Sequence, residues 1–203
     1  MLTTRYKTLL NRLLEPLASL VARLGVSPNA ITLLALLLCA VACAAFLRTR
    51  AVLPFCVAIT AIGCLDGLDG AVARSAGRTT KFGAYLDAVS DRYFEAMVAI
   101  TVAVVTGYWV LSMIVLAGAM AVSYAKARAA MEVAVSNLEW PDLMERTERD
   151  GLFILGLAAG RLPWRPLGRD LFWWTLLVLA ILIHATVLQR VLRAKRLIRE
   201  RSR

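Results

Sequence analysis

Four aspartates, Asp66, Asp69, Asp87 and Asp91, fall within the stretch DGLDGAVARSAGRTTKFGAYLDAVSD, between two long apolar runs. If one helix closes with Asp66 and Asp69 and the next opens with Gly83, Asp87 and Asp91, the i, i+3 and i, i+4 spacings put each set on one helical face. Two carboxylate faces then meet, and like charges that close lose hydration and repel unless they are protonated or hold a cation. Oxygen ligation with no nearby histidine or cysteine suits a hard divalent ion, Mg2+ or Mn2+, with two ions able to share bridging carboxylates. Magnesium keeps phosphate oxygens among its ligands. Gly70 removes a side chain where a phosphate could approach the backbone, Ala73 is too small to block the same face, and Arg74 offers a fixed fork for phosphate oxygens. This is equipment for phosphoryl transfer. Two other readings stay open: ion pairing with Arg74, Arg78 and Arg92, or a cation pathway in a transporter. A transporter would more often spread its charges over several spans near the midplane, whereas these sit at one end of two adjacent helices.

The elements that must position these residues are membrane helices. The chain has 203 residues, 60% of them apolar and 19% charged, and its mean hydropathy is +0.67. That composition excludes an ordinary soluble domain, and the length suits one folding unit. Windows of the roughly 20 apolar residues needed to cross a bilayer occur near 29–47, 51–72, 82–105, 109–130, 143–161 and 171–190. The expectation is an all-α integral membrane protein with six transmembrane helices. Residues 1–25 carry apolar side chains at helical spacing with Arg and Lys opposite, which predicts an interfacial amphipathic helix. The domain division is thus residues 1–25, a six-span domain over 26–194, and a basic cytoplasmic tail over 195–203. No secretory signal is evident.

Ser27 reads as an N-cap with Pro28 at the first helical position. The RTR stretch at 48–50, Gly107 and LPWRP at 162–166 read as turns. Trp109, Trp164, Trp173 and Trp174 suit an outer aromatic belt. Most of the 24 Lys and Arg fall in segments that share one side if both termini are cytoplasmic, so the positive-inside rule predicts that orientation. The net charge of +10 is split among membrane-flanking loops rather than gathered on one soluble face, which argues against a nucleic-acid partner. Cys39, Cys43, Cys56 and Cys64 lie in apolar windows without a paired motif and read as core packing. His184, alone in the last span, reads as a packing or helix-contact residue.

A second polar island, SYAKARAAMEV at 123–133, is followed by ERTERD at 145–150. Lys126 and Arg128 flank one helix end, with Arg146 and Arg149 about a turn apart on the next. They read either as anchors that snorkel to lipid phosphates or as a pocket for a phosphorylated acceptor, since a neutral acceptor would not need them.

The pattern Asp66, two residues, Asp69, Gly70, two residues, Ala73, Arg74, eight residues, Gly83, three residues, Asp87, three residues, Asp91 matches the signature of the CDP-alcohol phosphotransferase family without a departure. Eight specified positions make a specific signal over about an eighth of the chain. The six-span plan and the N-terminal interfacial helix also resemble that family. The resemblance implies transfer of a phosphatidyl-type group from a CDP-linked lipid to an alcohol, with release of CMP and a divalent metal. It implies that Asp66, Asp69 and Asp87 hold the metals and that Asp91 is the general base, also touching a second ion. Gly70, Ala73, Arg74 and Gly83 would shape the CDP site. An SYxKAR segment followed by paired arginines resembles the branch that uses inositol phosphate, with Lys126, Arg128, Arg146 and Arg149 on the acceptor phosphate. Glycerol 3-phosphate is the main competing acceptor, and a metal-dependent hydrolase is a further rival. The site is expected to open to the inner leaflet, so that a CDP-lipid enters sideways and a water-soluble acceptor comes from the cytosol; a homodimer is expected from the resemblance alone.

Overall fold

The computed structural model describes Leu20, residues 25–133 and residues 142–201. The interfacial helix expected over residues 1–25 falls almost wholly outside the described residues. Six α-helices follow: α1 Pro28–Thr49, α2 Val52–Ser75, α3 Lys81–Thr106, α4 Trp109–Glu132, α5 Arg146–Ala159 and α6 Leu171–Arg201, with a 3-10 turn at Pro166–Gly168 before the last. No strand occurs among the described residues. Ser27 caps α1 as expected: its hydroxyl accepts from the Ala30 N–H at 3.2 Å, and Pro28 opens the helix. The turn at 48–50 closes on Arg50, whose left-handed φ of 54° lets its N–H reach the Phe46 carbonyl at 2.9 Å. α6 runs on to Arg201, so most of the expected basic tail is helical.

The helices α1, α2, α4 and α6 are long and apolar enough to cross a membrane. Their outward surfaces are apolar too. Leu33, Leu37 and Val41 on α1, Val57 on α2, and Ile181 and Leu188 on α6 are all exposed. Helices that are apolar on both the packed and the open side belong in lipid, so the protein is an integral membrane protein. The other two helices fall short of the same criteria for clear reasons: α3 carries Asp87, Asp91, Arg92 and Glu95 along its length, and α5 has only 14 residues.

The described chain forms two compact units that divide between Thr101 and Val102. In the first, α1 packs along α2. Phe46 stacks on Phe55 at 4.2 Å between ring centroids, and Ile31, Leu68, Ala71 and Val72 form a closed apolar cluster.

In the second unit α4 and α6 run side by side in the same direction. Tyr108 donates to Asp170 at 2.6 Å at their starts, Gly118 meets Ile183 and His184 midway, and Arg190 bonds the Val122 carbonyl further along. α5 runs opposite to α6. The Leu143 N–H donates to Gln189 at 2.9 Å at one end, while Gly156 and Gly160 meet Thr175 and Phe172 near the other. A β-carbon on Gly156 would stand 2.3 to 2.6 Å from the Thr175 side chain, and one on Gly118 2.5 Å from Ile183. Glycines let these backbones approach closely, which is how helices associate where lipid removes the hydrophobic drive. His184 is a packing residue, as expected: its Nδ1 lies 2.9 Å from the Ala180 carbonyl and its ring against Gly118. The cysteines are free thiols; Cys39, Cys43 and Cys56 are buried as expected, but Cys64 is exposed on α2.

Candidate metal and phosphate site

The last turns of α2 carry Asp66, Asp69, Gly70, Ala73 and Arg74, and the first turns of α3 carry Gly83, Asp87 and Asp91. The short connection between them reverses the chain at Gly77, whose φ of +61° suits glycine, with the Arg78 N–H on the Ala73 carbonyl at 2.9 Å. Thr80 then caps α3 by accepting the Gly83 N–H at 2.9 Å. This tight return brings the two carboxylate-bearing faces together. One oxygen from each of Asp66, Asp69 and Asp87 lies within 4.8 Å of the other two.

That spacing fits a divalent ion. Ligand oxygens about 2.1 Å from magnesium stand at most about 4.2 Å apart across it, so small side-chain rotations close the set. The donors are hard carboxylate oxygens, as Mg2+ and Mn2+ prefer. Asp69 is the buried member, 7% exposed, while Asp66 and Asp87 are half-buried. Asp91 stands one turn further along α3 and is not one of the three. Its Oδ2 lies 3.8 Å from Arg92, which also pairs with Glu95 at 3.0 Å. Ion pairing, one of the alternative readings, therefore holds for Asp91 to a degree.

The glycines of the motif have visible packing reasons. A β-carbon on Gly70 would come to 3.2 Å from Nη1 of Arg74, so the arginine fork folds back over the bare backbone of Gly70. A β-carbon on Gly83 would meet the Thr80 hydroxyl at 3.0 Å and the side-chain amide oxygen Oδ1 of Asn29 at 3.1 Å. A side chain at residue 83 would press on the Thr80 and Asn29 side chains where the start of α1 meets the start of α3.

A contact that the spacing arguments did not single out completes the site. Thr32 of α1, 3% exposed, donates its hydroxyl to Oδ2 of Asp69.

The second polar island lies in the other compact unit and is described by itself. Lys126 is half-buried on α4, and the exposed Arg128 pairs with Glu132 at 2.7 Å. Arg146 lies 3.4 Å from Asp150, and Arg149, 5% exposed, 3.6 Å from it. A buried arginine is no simple anchor. The segment ahead of α5 is held by Arg190, whose guanidinium grips the Asp142 carboxylate with Nε at 2.9 Å and also bonds the Val122 carbonyl. Arg190 is itself buried, 7% exposed.

Comparison with known proteins agrees with this geometry. The sequence profile described as CDP-alcohol phosphatidyltransferase matches residues 25–183. An archaetidylinositol phosphate synthase of Pyrococcus horikoshii is 33% identical over 186 residues, spanning 90% of this chain and 91% of that protein. Crystal structures of a Mycobacterium tuberculosis phosphatidylinositol phosphate synthase share the fold. The one with CDP-DAG bound gives a TM-score of 0.78 at 24% identity over 90% of this chain and 94% of that one. The one in complex with manganese and citrate gives 0.77 at 24% identity over 89% and 88%. With a profile match over most of its length and a relative of this identity along nearly all of it, the chain belongs to the CDP-alcohol phosphatidyltransferase family.

Proposed function

We propose that this enzyme transfers a phosphatidyl-type group from a CDP-linked lipid to inositol 1-phosphate and releases CMP. The observation that carries the reading is the gathering of Asp66, Asp69 and Asp87 oxygens within 4.8 Å, beside the Gly70–Arg74 pair. The choice of acceptor is supported by the similarity to proteins named archaetidylinositol and phosphatidylinositol phosphate synthases.

Asp66, Asp69 and Asp87 would hold Mg2+ or Mn2+, with Asp91 touching the second of two ions. A divalent ion held there would supply the charge that offsets the pyrophosphate and the CMP leaving group. Arg74 binds phosphate oxygens of the donor, and Gly70, Ala73 and Gly83 keep its CDP cleft open. Asp91 takes the proton from the acceptor hydroxyl as that oxygen bonds to the lipid-bearing phosphorus. The bond to the bridging oxygen of the pyrophosphate breaks, and that oxygen leaves with CMP. Lys126, Arg128, Arg146 and Arg149 hold the acceptor phosphate.

All six helices cross the membrane in this reading, both ends face the cytoplasm, and the site opens to the inner leaflet. Residues 1–25 lie along the interface, 26–194 form the catalytic domain, 195–203 form a basic end, and two chains make a homodimer. The parallel course of α4 and α6 supports six crossings: the chain must return between them, and α5 is what returns.

The test is an assay of purified protein with Mg2+, CDP-diacylglycerol and either inositol 1-phosphate, glycerol 3-phosphate or no acceptor, with CMP and lipid product measured. CMP release that requires inositol 1-phosphate is the expected result. Release with glycerol 3-phosphate alone would reassign the acceptor, release without acceptor would make the enzyme a hydrolase, and no CMP in any arm would overturn the reading.

A further inference from the structure

We infer that Thr32 is a positioning residue for the metal site, orienting the Asp69 carboxylate from a helix that carries none of the aspartates. The inference rests on the metal-binding reading of Asp66, Asp69 and Asp87. Thr32 lies 37 residues from Asp69, on α1, and reaches it because Ile31 packs into one cluster with Leu68, Ala71 and Val72 of α2. Both partners are buried, Thr32 at 3% exposure and Asp69 at 7%.

The hydroxyl has one proton and two acceptors in reach: the Pro28 carbonyl at 3.2 Å and the nearer Oδ2 of Asp69. The ionised carboxylate is the stronger acceptor, so the proton goes to Asp69. Donation there fixes rotation about the Cβ–Cγ bond and presents one carboxylate orientation to an ion. Without the hydroxyl, the buried carboxylate would lose the partner that fixes its orientation. Ligand-orienting partners of this kind typically alter metal affinity by about 10- to 100-fold when removed. Pro28 and the Ser27 cap set the register of α1, so that Thr32 comes one turn inside the helix.

The experiment compares Thr32→Val, which keeps shape and loses the hydroxyl, with Thr32→Ser, which keeps the hydroxyl and loses a methyl. Mn2+ binding to the substrate-free protein is followed by electron paramagnetic resonance, and melting in detergent is recorded alongside. The expected result is an Mn2+ Kd raised about tenfold or more in Thr32→Val and near wild type in Thr32→Ser. The Mg2+ concentration for half-maximal activity should move in parallel, while KM for inositol 1-phosphate stays unchanged. Wild-type Mn2+ affinity in Thr32→Val overturns the inference. So does equal weakening in both variants, which would assign the effect to packing. Because the Mn2+ measurement uses no substrate, an enzyme that binds the ion normally but makes no inositol-phosphate lipid would sink the functional proposal and leave Thr32 standing.

Discussion

Asp91 and Asp69 carry the same functional group one helix apart, yet their surroundings differ, and so do the roles proposed for them. Asp69 is buried and held by the Thr32 hydroxyl, which suits a fixed ligand; Asp91 lies outside the three-oxygen set, with Arg92 at 3.8 Å as a loose partner. In the proposed mechanism Asp91 is the group that accepts the proton of the acceptor hydroxyl. Asp91→Asn is expected to retain CDP-lipid binding and the Mn2+ held by Asp66, Asp69 and Asp87 while product formation falls at least about a hundredfold. Substantial turnover in that variant would remove Asp91 as the base. For the second island the expected effect is on one substrate only. Lys126→Ala or Arg128→Ala should raise KM for inositol 1-phosphate about tenfold, the value of a charge-assisted hydrogen bond, with little change in KM for CDP-lipid. Equal changes in both would make these residues membrane anchors.

At the scale of the helices, what was readable beforehand was whatever depends on spacing along one element. Helical geometry alone puts Asp66 with Asp69, and Asp87 with Asp91, on single faces, and the caps and turns at Ser27, Arg50 and Gly107 follow from local backbone preferences. Thr32 with Asp69 and Arg190 with Asp142 were not readable, because those pairs span 37 and 48 residues and exist only once helices pack. Tyr108 belongs with them. It sits in the turn between α3 and α4, and its hydroxyl donates to Oδ2 of Asp170, whose Oδ1 caps α6 through the Trp173 N–H at 2.9 Å. Burial, and then the adjacent carboxylate, favour the neutral phenol and push its pKa up to about 12, against an ordinary value of 10.0. The folded state thus keeps a proton that the unfolded chain gives up sooner. The stabilisation is whole below about pH 10 and drains away as pH rises through about 12. Melting temperature in detergent should fall across that window, and Tyr108→Phe should start lower and flatten the fall. An unchanged slope in the phenylalanine variant would assign the alkaline loss to other groups.

For the molecule as a whole, the question is how many helices cross, and the weak point is α5 with its 14 residues. At 1.5 Å per residue it rises about 21 Å, short of a hydrocarbon core about 30 Å thick. Its lead-in makes up the difference. Contacts with α6 run from Leu143 on Gln189 to Gly160 on Phe172, so the segment follows α6 for about 25 Å. Tyr108 on Asp170 sets the starts of α4 and α6 side by side, as the proposed six crossings require; with only α1, α2, α4 and α6 crossing, α4 would be expected to begin on the opposite face from α6. Labelling can decide this. In a background with Cys39, Cys43, Cys56 and Cys64 replaced, single cysteines at Trp109→Cys and Arg169→Cys should react with an impermeant maleimide from the outer side of oriented vesicles. Arg78→Cys, Glu132→Cys and Arg201→Cys should react from the cytoplasmic side. Labelling of positions 109 and 169 from opposite sides would refute six crossings. Labelling of position 78 from the outer side would move the carboxylate cluster away from the cytosol, where a phosphorylated, water-soluble acceptor must be supplied.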